Sequence, residues 1–396
     1  MINTQSRYER FFKKIVKNLG TGSLIVSTPC AKTLEYHGSH HGPCADMIIK
    51  DWNMIKQVIK QGEIGFLKAY QTGLLETSNL ANLMTIAILN EIHFKDFFNL
   101  AGLQKYIYRF YTFISRNSIR GSRSNIRAHY DLSNDFFSLW LDPSMCYSSG
   151  LFLDNSASTL EEAQQQKIAR VLDQLDLPQK SHILEIGSGW GAFLLEAAKR
   201  GHNATGITSS EKQFDYTQKC IESSPLSGQM DVQLLDYRNL TGQFDGIVSI
   251  EMFEAVGEEY WNQYFTSLSN ALKPGGKAVI QTITIDDDHF ETYRKIPDFI
   301  QLYIFPGGML PSKKQFIERA KQAGLSVIDN FAFGQDYART LQEWLNRFDG
   351  VKEEVLRLGF DEEFIKLWRF YLSYCIAGFT TKRTDVYQFT LEKSTS

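Results

Sequence analysis

The glycine-rich segment 182–193, HILEIGSGWGAF, constrains the fold more than any other part of the chain. A short apolar run leads into Gly187, Gly189 and Gly191, and a helical pattern follows. Glycines allow a tight turn and a close approach of the backbone to a ligand, while the first amides of the helix face that ligand. The segment therefore predicts a strand, a ligand-binding turn and a helix, the opening unit of a nucleotide-binding α/β domain.

After Pro178 short apolar runs alternate with helical patterns, which predicts a mostly parallel sheet with helices on both faces. Helices are predicted at 192–200 and 211–222. The predicted strands are 182–186, 204–208, 231–235, 246–250, 277–283, 325–333 and 386–392. Together these elements predict a seven-stranded, Rossmann-like α/β fold.

The chain has 396 residues, which exceeds one typical domain and predicts a second, smaller domain before the α/β domain. The first 115 residues read as mainly helical with some short strands, and two of the helical patterns cover 51–66 and 80–98. Gly62 and Gly65 are expected to break the first of these helices. We place the domains at 1–115 and 116–396.

A stretch rich in basic and aromatic residues, 104–130, surrounds this boundary and contains no acidic residue. One interpretation is a solvated interdomain linker. The other is a patch that meets anionic lipid headgroups, where each positive charge adds about 1 kcal/mol of binding. The basic residues are Lys105, Arg109, Arg116, Arg120, Arg123 and Arg127.

Composition narrows the functional class. A net charge of −3 does not favour nucleic acid as a partner, while 13% aromatic residues suit a protein that surrounds an apolar ligand. The five cysteines show neither CxxC pairs nor zinc spacing, so we expect free thiols and no metal site. The N-terminus lacks the apolar core of a signal peptide, and no run reaches the length of a spanning helix. We therefore expect a cytoplasmic protein with peripheral membrane contact.

Residues beside the glycine turn distinguish between possible nucleoside ligands. Glu185 precedes the turn, and a carboxylate there suits a cationic amino-acid ligand and would repel phosphate. Thr208 and Gln213 follow the second predicted strand and offer polar groups to a ribose. Asp236 and Tyr237 follow the third, as an acceptor for an adenine amine and a ring beside it. The order ExGxGxG resembles the first motif of class I methyltransferases that use S-adenosylmethionine (SAM).

From about Gln61 to the end, the chain closely resembles the cyclopropane-fatty-acyl-phospholipid synthase family, which includes mycolic acid cyclopropane synthases and fatty acid methyltransferases. The resemblance rests on GEIGFLKAYQTG (62–73), HYDLSNDFF (129–137), MCYSSGLF (145–152), EEAQQQK (161–167), LEIGSGWG (184–191), LDYRNL (235–240), MFEAVG (252–257), YIFPGGMLPS (303–312) and DYARTLQEW (336–344). It implies that segment 62–73 belongs to a lipid-associated N-terminal domain. It also implies a SAM site lined by Tyr147, Ser148, Gly187, Gly189, Thr208, Gln213 and Tyr237.

The resemblance implies transfer of the SAM methyl group to a cis double bond of an acyl chain. A π bond is a weak nucleophile, so close alignment with the methyl group should supply much of the rate. The resulting carbocation needs aromatic faces and a dry pocket. A base then removes a proton. Loss from the added methyl group closes a cyclopropane, and loss from a neighbouring carbon leaves a methyl- or methylene-branched chain.

In cyclopropane synthases the base is thought to be bicarbonate, and the resemblance places its site at Ser149, Glu254, Gln281, Ile283 and Tyr337. Glutamate, isoleucine and tyrosine match the family. Serine replaces a cysteine that would act through its backbone, and glutamine replaces a histidine. The second change removes a group that could carry positive charge and weakens the case for bound bicarbonate.

Glu251 stands where the family has glycine, and Ala255 stands where it has histidine. Glu251 and Glu254 are three residues apart, so on a helical turn they would share one face, where one carboxyl pKa would rise. We hypothesise that Glu251 acts as the base here, in the role that bicarbonate has in cyclopropane synthases. The alternative is a solvated carboxylate at a helix start. The pattern IEMFEAVG resembles the fatty acid methyltransferase branch of the family more than the cyclopropane branch.

The leading prediction is a SAM-dependent C-methyltransferase acting on unsaturated acyl chains of phospholipids at the membrane surface. Cyclopropane synthesis with the same residues is the first alternative. A catalytically inactive lipid-binding protein and a small-molecule methyltransferase are the others. The family suggests a homodimer, and a reductase is a further candidate partner.

Overall fold

The computed structural model describes residues 2–94, 132–153 and 158–395, with side chains from residue 7 onward. The predicted domain boundary at 115/116 and the basic aromatic stretch 104–130 lie outside the described residues. Both stay predictions.

The N-terminal part combines three helices with a four-stranded sheet. Its elements are α1 (Ile2–Val16), β1 (Thr21–Ser27), β2 (Thr33–His37), β3 (His40–Ile49), α2 (Asn53–Gln71), β4 (Leu75–Glu76) and α3 (Leu80–Leu89). The strand order is β2-β1-β3-β4, with β1 and β3 parallel and the other pairs antiparallel. The helices were expected, together with short strands, but β3 runs for ten residues.

The helix predicted at 51–66 continues beyond its expected glycine breakers. Gly62 adopts φ 53° and kinks α2, which then resumes and ends at Gln71. Glycine tolerates this left-handed conformation, so the helix changes direction there instead of ending. The pattern predicted at 80–98 is observed as α3, with helical backbone again at 91–94, and residues 95–98 lie outside the described part.

The C-terminal part is the predicted Rossmann-like domain, and all seven predicted strands are present. Its strands are β5 (His182–Ile186), β6 (Asn203–Thr208), β7 (Met230–Leu234), β8 (Phe244–Ile250), β9 (Leu272–Ile285), β10 (Leu325–Ala332) and β11 (Thr384–Lys393). Its helices are α4 (Asn134–Ser138), α5 (Leu160–Leu175), α6 (Ala192–Lys199), α7 (Glu211–Glu222), α8 (Trp261–Ala271), α9 (Asp287–Tyr293), α10 (Phe299–Tyr303), α11 (Lys313–Gln322), α12 (Gly334–Gly350), α13 (Lys352–Arg357) and α14 (Glu362–Thr380).

The large sheet has the order β10-β11-β9-β8-β5-β6-β7, and β11 is antiparallel to both of its neighbours. Central strands such as β5 and β8 are buried along nearly their whole length because helices cover both faces. Helices α5, α6 and α7 pack on one face, and α8 and α11 pack on the other. Along the edge strand β10, exposed residues alternate with less exposed ones, since one of its faces is uncovered.

The carboxyl ends of β5, β6 and β8 meet at one edge of the sheet. The glycine turn follows β5, Thr208 ends β6 and Glu251 follows β8. In open α/β sheets, ligands bind in the crevice outside this edge. The fold therefore places most of the predicted site residues in one crevice.

The two parts of the chain are in contact. Helix α3 packs against α14, and Arg383 forms a salt bridge with Glu91. The carboxylate of Glu63, just after the kink in α2, accepts from the Phe299 amide at 2.6 Å and from the Tyr374 hydroxyl at 3.0 Å. Burial and the nearby Asp298 raise the pKa of Glu63 to about 7.

The cysteines, the metal-ligating side chain types and the apolar helices of the described residues bear on the predictions from composition. All five cysteines lie among them and are free thiols. No group of acidic, histidine or cysteine side chains in the described ranges has the arrangement of a metal site. No helix found in these ranges is long and apolar enough to cross a membrane.

Candidate active site

A large apolar cavity of about 750 Å³ lies between the N-terminal part and the Rossmann-like domain. Its walls come from both parts of the chain. Phe12, Leu24 and Met84 contribute from the first, and Phe305 and Phe370 contribute from the second. A cavity of this size and character suits a long apolar ligand. We call it the acyl cavity.

A smaller cavity of about 170 Å³ lies at the glycine turn. We call it the cofactor cavity. The two cavities meet, because Tyr147, Glu251 and Ala255 line both of them. A group bound at the glycine turn would therefore face a ligand in the acyl cavity across these three residues.

The glycine turn has the backbone geometry expected of a ligand cradle. Gly187 and Gly189 have φ of 86° and 52°, and both line the cofactor cavity. A Cβ on Gly189 would meet nothing within 4 Å, whereas one on Gly187 would approach Met252 to 2.8 Å. Gly191 is not among the described residues that line the cavity. A side chain there would meet Thr217 of α7 at 2.8 Å, so this glycine serves helix packing.

Glu185 lies at the end of β5 and lines the cofactor cavity. It is 4% exposed, and its Oε2 has no hydrogen-bond partner among the described residues. Burial raises its pKa to about 8, and the charge of Lys167 opposes that rise. A cationic group in the cavity would restore the charged form, as predicted for the amino-acid end of SAM.

The predicted ribose and adenine residues also line the cofactor cavity. The Thr208 hydroxyl donates to Gln213 Oε1 at 2.9 Å, which holds the two side chains together. Asp236 accepts from the guanidinium of Arg238 through both carboxylate oxygens. This ion pair was not predicted, and it anchors the residue proposed to accept from the adenine amine. Burial raises the pKa of Tyr237 to about 12 and keeps it neutral.

Two residues of α5 hold the loop that carries Tyr147, Ser148 and Ser149. Gln164 donates to the Ser148 carbonyl at 2.8 Å, and Lys167 donates to the Ser148 hydroxyl at 2.6 Å. Each is 1% exposed. Sequence reasoning matched their segment, EEAQQQK, to the family without giving them a role. Their spacing of three residues on a helix that begins with the Thr159 capping box was the available signal.

The Glu251 carboxylate receives three hydrogen bonds at the junction of the cavities. Its Oε1 accepts from the Ser149 amide at 2.9 Å and from Gln281 Nε2 at 2.8 Å. Its Oε2 accepts from the Tyr337 hydroxyl at 2.5 Å. Burial raises the pKa of Glu251, and the donors from Tyr337, Ser149 and Gln281 oppose that rise.

Glu254 stands beside this cluster and lines the acyl cavity. Its Oε1 accepts from the Ile283 amide at 2.5 Å, and its Oε2 has no partner among the described residues. Burial, and then the charge of Glu251, raises the pKa of Glu254 to about 8. The structure thus brings together all six residues predicted for the base site.

The backbone at Glu251 differs from the helical turn that we expected. Glu251 has φ 50°, in the left-handed region that non-glycine residues rarely adopt. The helical turn begins only at Phe253, as the short 3₁₀ segment Phe253–Ala255. The two glutamates therefore do not share a helix face. Their carboxyls are neighbours because the left-handed residue turns the chain at the end of β8.

Comparison with known proteins identifies the family. The model of the family described as mycolic acid cyclopropane synthetase matches residues 117–389. The chain belongs to this family.

Two curated relatives of this cyclopropane synthetase family member cover most of its length. It is 36% identical to tuberculostearic acid methyltransferase UfaA1 of Mycobacterium tuberculosis, over 85% of this chain and 81% of the relative. It is 32% identical to cyclopropane-fatty-acyl-phospholipid synthase of Escherichia coli, over 87% of both chains. The crystal structure of mycolic acid cyclopropane synthase CmaA1 complexed with SAH and CTAB superposes with a TM-score of 0.65. That match has 33% identity and covers 68% of this chain and 98% of CmaA1.

The family member is therefore a SAM-dependent methyltransferase with the class I fold, and SAM is its cofactor. The residues present fit SAM. The buried Glu185 has a carboxylate oxygen without a partner in the described part of the chain, and the Gly189 backbone faces open space. These groups suit a positively charged amino-acid end and a close backbone approach.

Proposed function

We propose that this protein transfers the SAM methyl group to the cis double bond of an unsaturated phospholipid acyl chain, with Glu251 as the base. The product would be a methyl- or methylene-branched chain. One observation carries the proposal: the carboxylate of Glu251 lies where the two cavities meet and accepts hydrogen bonds from Ser149, Gln281 and Tyr337. These are three of the positions at which the resemblance placed a bicarbonate ion.

The acyl cavity supports an apolar chain as substrate. Its lining is mainly aliphatic and aromatic, and burial of each methylene group contributes about 0.8 kcal/mol. Tyr147 and Tyr337 present aromatic rings near the junction, where a carbocation would form. An apolar cavity would also keep water from the cation.

The hydrogen bonds favour Glu251 over its neighbours as the base. Burial raises the pKa of Tyr337 well above its ordinary value, so Tyr337 remains a hydrogen-bond donor. Two neighbouring buried carboxyls share a proton. Both oxygens of Glu251 accept hydrogen bonds, whereas Oε2 of Glu254 has no partner among the described residues. The proton therefore resides on Glu254 and the charge on Glu251. Two N–H donors occupy Oε1 of Glu251, whereas Oε2 accepts from the Tyr337 hydroxyl and has a second lone pair for the substrate proton.

The proposed reaction balances with these groups alone. Bound SAM would supply an electrophilic methyl group. The alkene π electrons would form the new C–C bond as the S–CH3 bond breaks, its electrons would stay on sulfur in S-adenosylhomocysteine, and a cation would remain on the other alkene carbon. Glu251 Oε2 removes a proton, and the electrons of that C–H bond neutralise the cation. Loss from a neighbouring carbon gives a methyl-branched alkene. A hydride shift followed by loss from the added methyl group gives a methylene branch.

The names of the relatives agree with an acyl substrate. One is a tuberculostearic acid methyltransferase, another is a cyclopropane-fatty-acyl-phospholipid synthase, and CmaA1 was crystallised with CTAB, a long-chain ligand. Action on phospholipids at the membrane surface, a homodimer and a reductase partner are further parts of this proposal. Cyclopropane synthesis is the second candidate, because Glu254, Ile283 and Tyr337 match the positions expected in cyclopropane synthases.

Lipid analysis tests the proposal. Lipids of cells that express the protein are converted to methyl esters and analysed by gas chromatography–mass spectrometry. We expect methyl- or methylene-branched esters from the wild type and their near absence from Glu251→Gln. Glu259→Gln, a change at an exposed glutamate on the next turn, is the matched control and should behave as the wild type. Cyclopropane esters from the wild type would favour the second candidate, and full turnover by Glu251→Gln would exclude Glu251 as the base.

A further inference from the structure

A chain of hydrogen bonds runs from Glu251 to the protein surface behind the active site. Gln281 Nε2 donates to Glu251 at 2.8 Å, and Gln388 Nε2 donates to Gln281 Oε1 at 3.0 Å. Arg170 donates to Gln388 Oε1 at 2.7 Å and to Asp329 Oδ2 at 2.9 Å. The two glutamines are direct partners in the register of β9 and β11, and both are 0% exposed.

The chain can run in only one direction. A guanidinium donates hydrogen bonds and never accepts them, so Gln388 must turn its oxygen towards Arg170. Its amide nitrogen then faces Gln281, which must in turn present its own nitrogen to Glu251. Without Arg170, both amides could turn over, and Gln281 would then present an oxygen to the carboxylate. An oxygen in that position is compatible only with protonated Glu251.

We propose that Arg170 is a positioning residue of this methyltransferase, which fixes the direction of this chain and thereby holds Glu251 in its proton-accepting form. The inference rests on the proposed role of Glu251 as the base. Arg170 and Gln388 are not among the described residues that line the two cavities. The effect of Arg170 should therefore fall on turnover and its pH dependence, and not on substrate binding.

Other titratable groups surround Glu251. Glu254 lies on the following turn, Lys167 on α5 and Tyr337 on α12. Tyr147, Tyr371 and Cys375 lie around Tyr337. All of these groups remain in an Arg170 variant. The charge of Arg170 itself is balanced by Asp329, whose side chain is 42% exposed.

The experiment measures kcat and KM against pH for the purified full-length protein, with SAM and vesicles of dioleoyl phosphatidylglycerol. For Arg170→Met we expect the acidic limb of kcat to move up by about one pH unit, which is about a tenfold loss below the limb. Above the limb kcat should recover, and both KM values should stay within about twofold of the wild type. Arg170→Lys keeps a hydrogen-bond donor, so its acidic limb should stay at the wild-type pH.

Two controls separate hydrogen-bond direction from charge and from general damage. Asp329→Asn exposes the full charge of Arg170 and keeps its donor, so the limb should not move. Arg200→Met removes another arginine that pairs with an aspartate, Asp173 of α5, and should leave the profile unchanged. A limb that moves down in Asp329→Asn as far as it moves up in Arg170→Met would overturn the proposal in favour of a charge effect.

Other outcomes also decide. An unmoved limb in Arg170→Met, or an equal loss at every pH in both Arg170 variants, would overturn the proposal. If Arg170→Met does not fold, Gln388→Glu takes its place. The side chain introduced by Gln388→Glu can only accept hydrogen bonds, so the Gln281 amide nitrogen should turn towards it and the Gln281 oxygen towards Glu251. The acidic limb should then move to higher pH, and an unmoved limb would overturn the proposal. Wild-type turnover in Glu251→Gln would refute the assignment of Glu251 as the base. Loss of turnover in Glu251→Gln, together with an unmoved limb in Arg170→Met, would refute only the role of Arg170.

Discussion

Removing the Tyr337 hydroxyl should make Glu251 a base that works only at higher pH. The hydroxyl donates to Glu251 Oε2 at 2.5 Å, and the ring stacks on Phe379 with centroids 4.4 Å apart. Tyr337→Phe keeps this packing and loses only the donor. A hydrogen bond to a charged group contributes about 1.5–3 kcal/mol. Since one pKa unit corresponds to about 1.4 kcal/mol, the pKa of Glu251 should rise by about 1–2 units.

The sign follows from the form that reacts. Only ionised Glu251 accepts a proton, so a higher pKa moves the acidic limb of the kcat–pH profile to higher pH. Turnover below the limb should fall about 10- to 100-fold and should recover above it. The assay is transfer of radiolabelled methyl from SAM to unsaturated phospholipid vesicles between pH 6 and about 9.5. Tyr303→Phe, at an exposed tyrosine of α10, is the matched control. A limb at the wild-type position in Tyr337→Phe would refute the reasoning.

Three further predictions concern single residues. Glu251→Gly should lower turnover at least about a hundredfold, and added bicarbonate or formate should restore part of it in a radiolabel assay, because the three donors then lack their carboxylate; no response to either anion would contradict this. Gln164→Leu should weaken SAM binding about fivefold by calorimetry, since a hydrogen bond to the Ser148 carbonyl contributes about 1 kcal/mol, and an unchanged Kd would contradict it. Native Glu63 has a pKa of about 7 against an ordinary value of 4.5, so it keeps a proton that the unfolded chain releases. The free energy of unfolding should therefore fall by up to about 3 kcal/mol as pH rises through this window. In urea unfolding at pH 5 and pH 8, the free energy of unfolding of Glu63→Gln should lack this part of the fall. An equal fall in the wild type and in Glu63→Gln would contradict the raised pKa of Glu63.

The large sheet could be predicted because its strands carry the signal locally. Each central strand is a short apolar run, and the glycine turn after β5 marks the cofactor site by composition alone. Glu185 and Thr208 followed from their positions at strand ends. Such features depend on a few consecutive residues, so one sequence suffices to find them.

Other features depend on contacts between distant segments. Gln281 and Gln388 are 107 residues apart, and only the register of β9 and β11 makes them partners. The left-handed backbone of Glu251 was missed because its surroundings read as the start of a helix. The Arg238 pair with Asp236 was missed because nothing in the spacing separates an ion pair from two independent ligands.

The acyl cavity was expected only because the implied reaction requires a dry pocket around a carbocation. Its walls combine α1, α2 and α3 with α10 and α14, and no sequence pattern reports how two parts of a chain face each other. The aromatic content was a hint in the right direction, but a large core would give the same composition.

The left-handed conformation of Glu251 has a consequence for engineering. A search for thermostabilising substitutions would select this position early, because a non-glycine residue there costs about 1 kcal/mol or more that glycine avoids. The same substitution would delete the carboxylate at the junction of the two cavities. Libraries designed to raise thermal stability should therefore leave residue 251 unchanged. A stabilised variant that carries glycine there should be assayed for loss of methyltransferase activity before it is used.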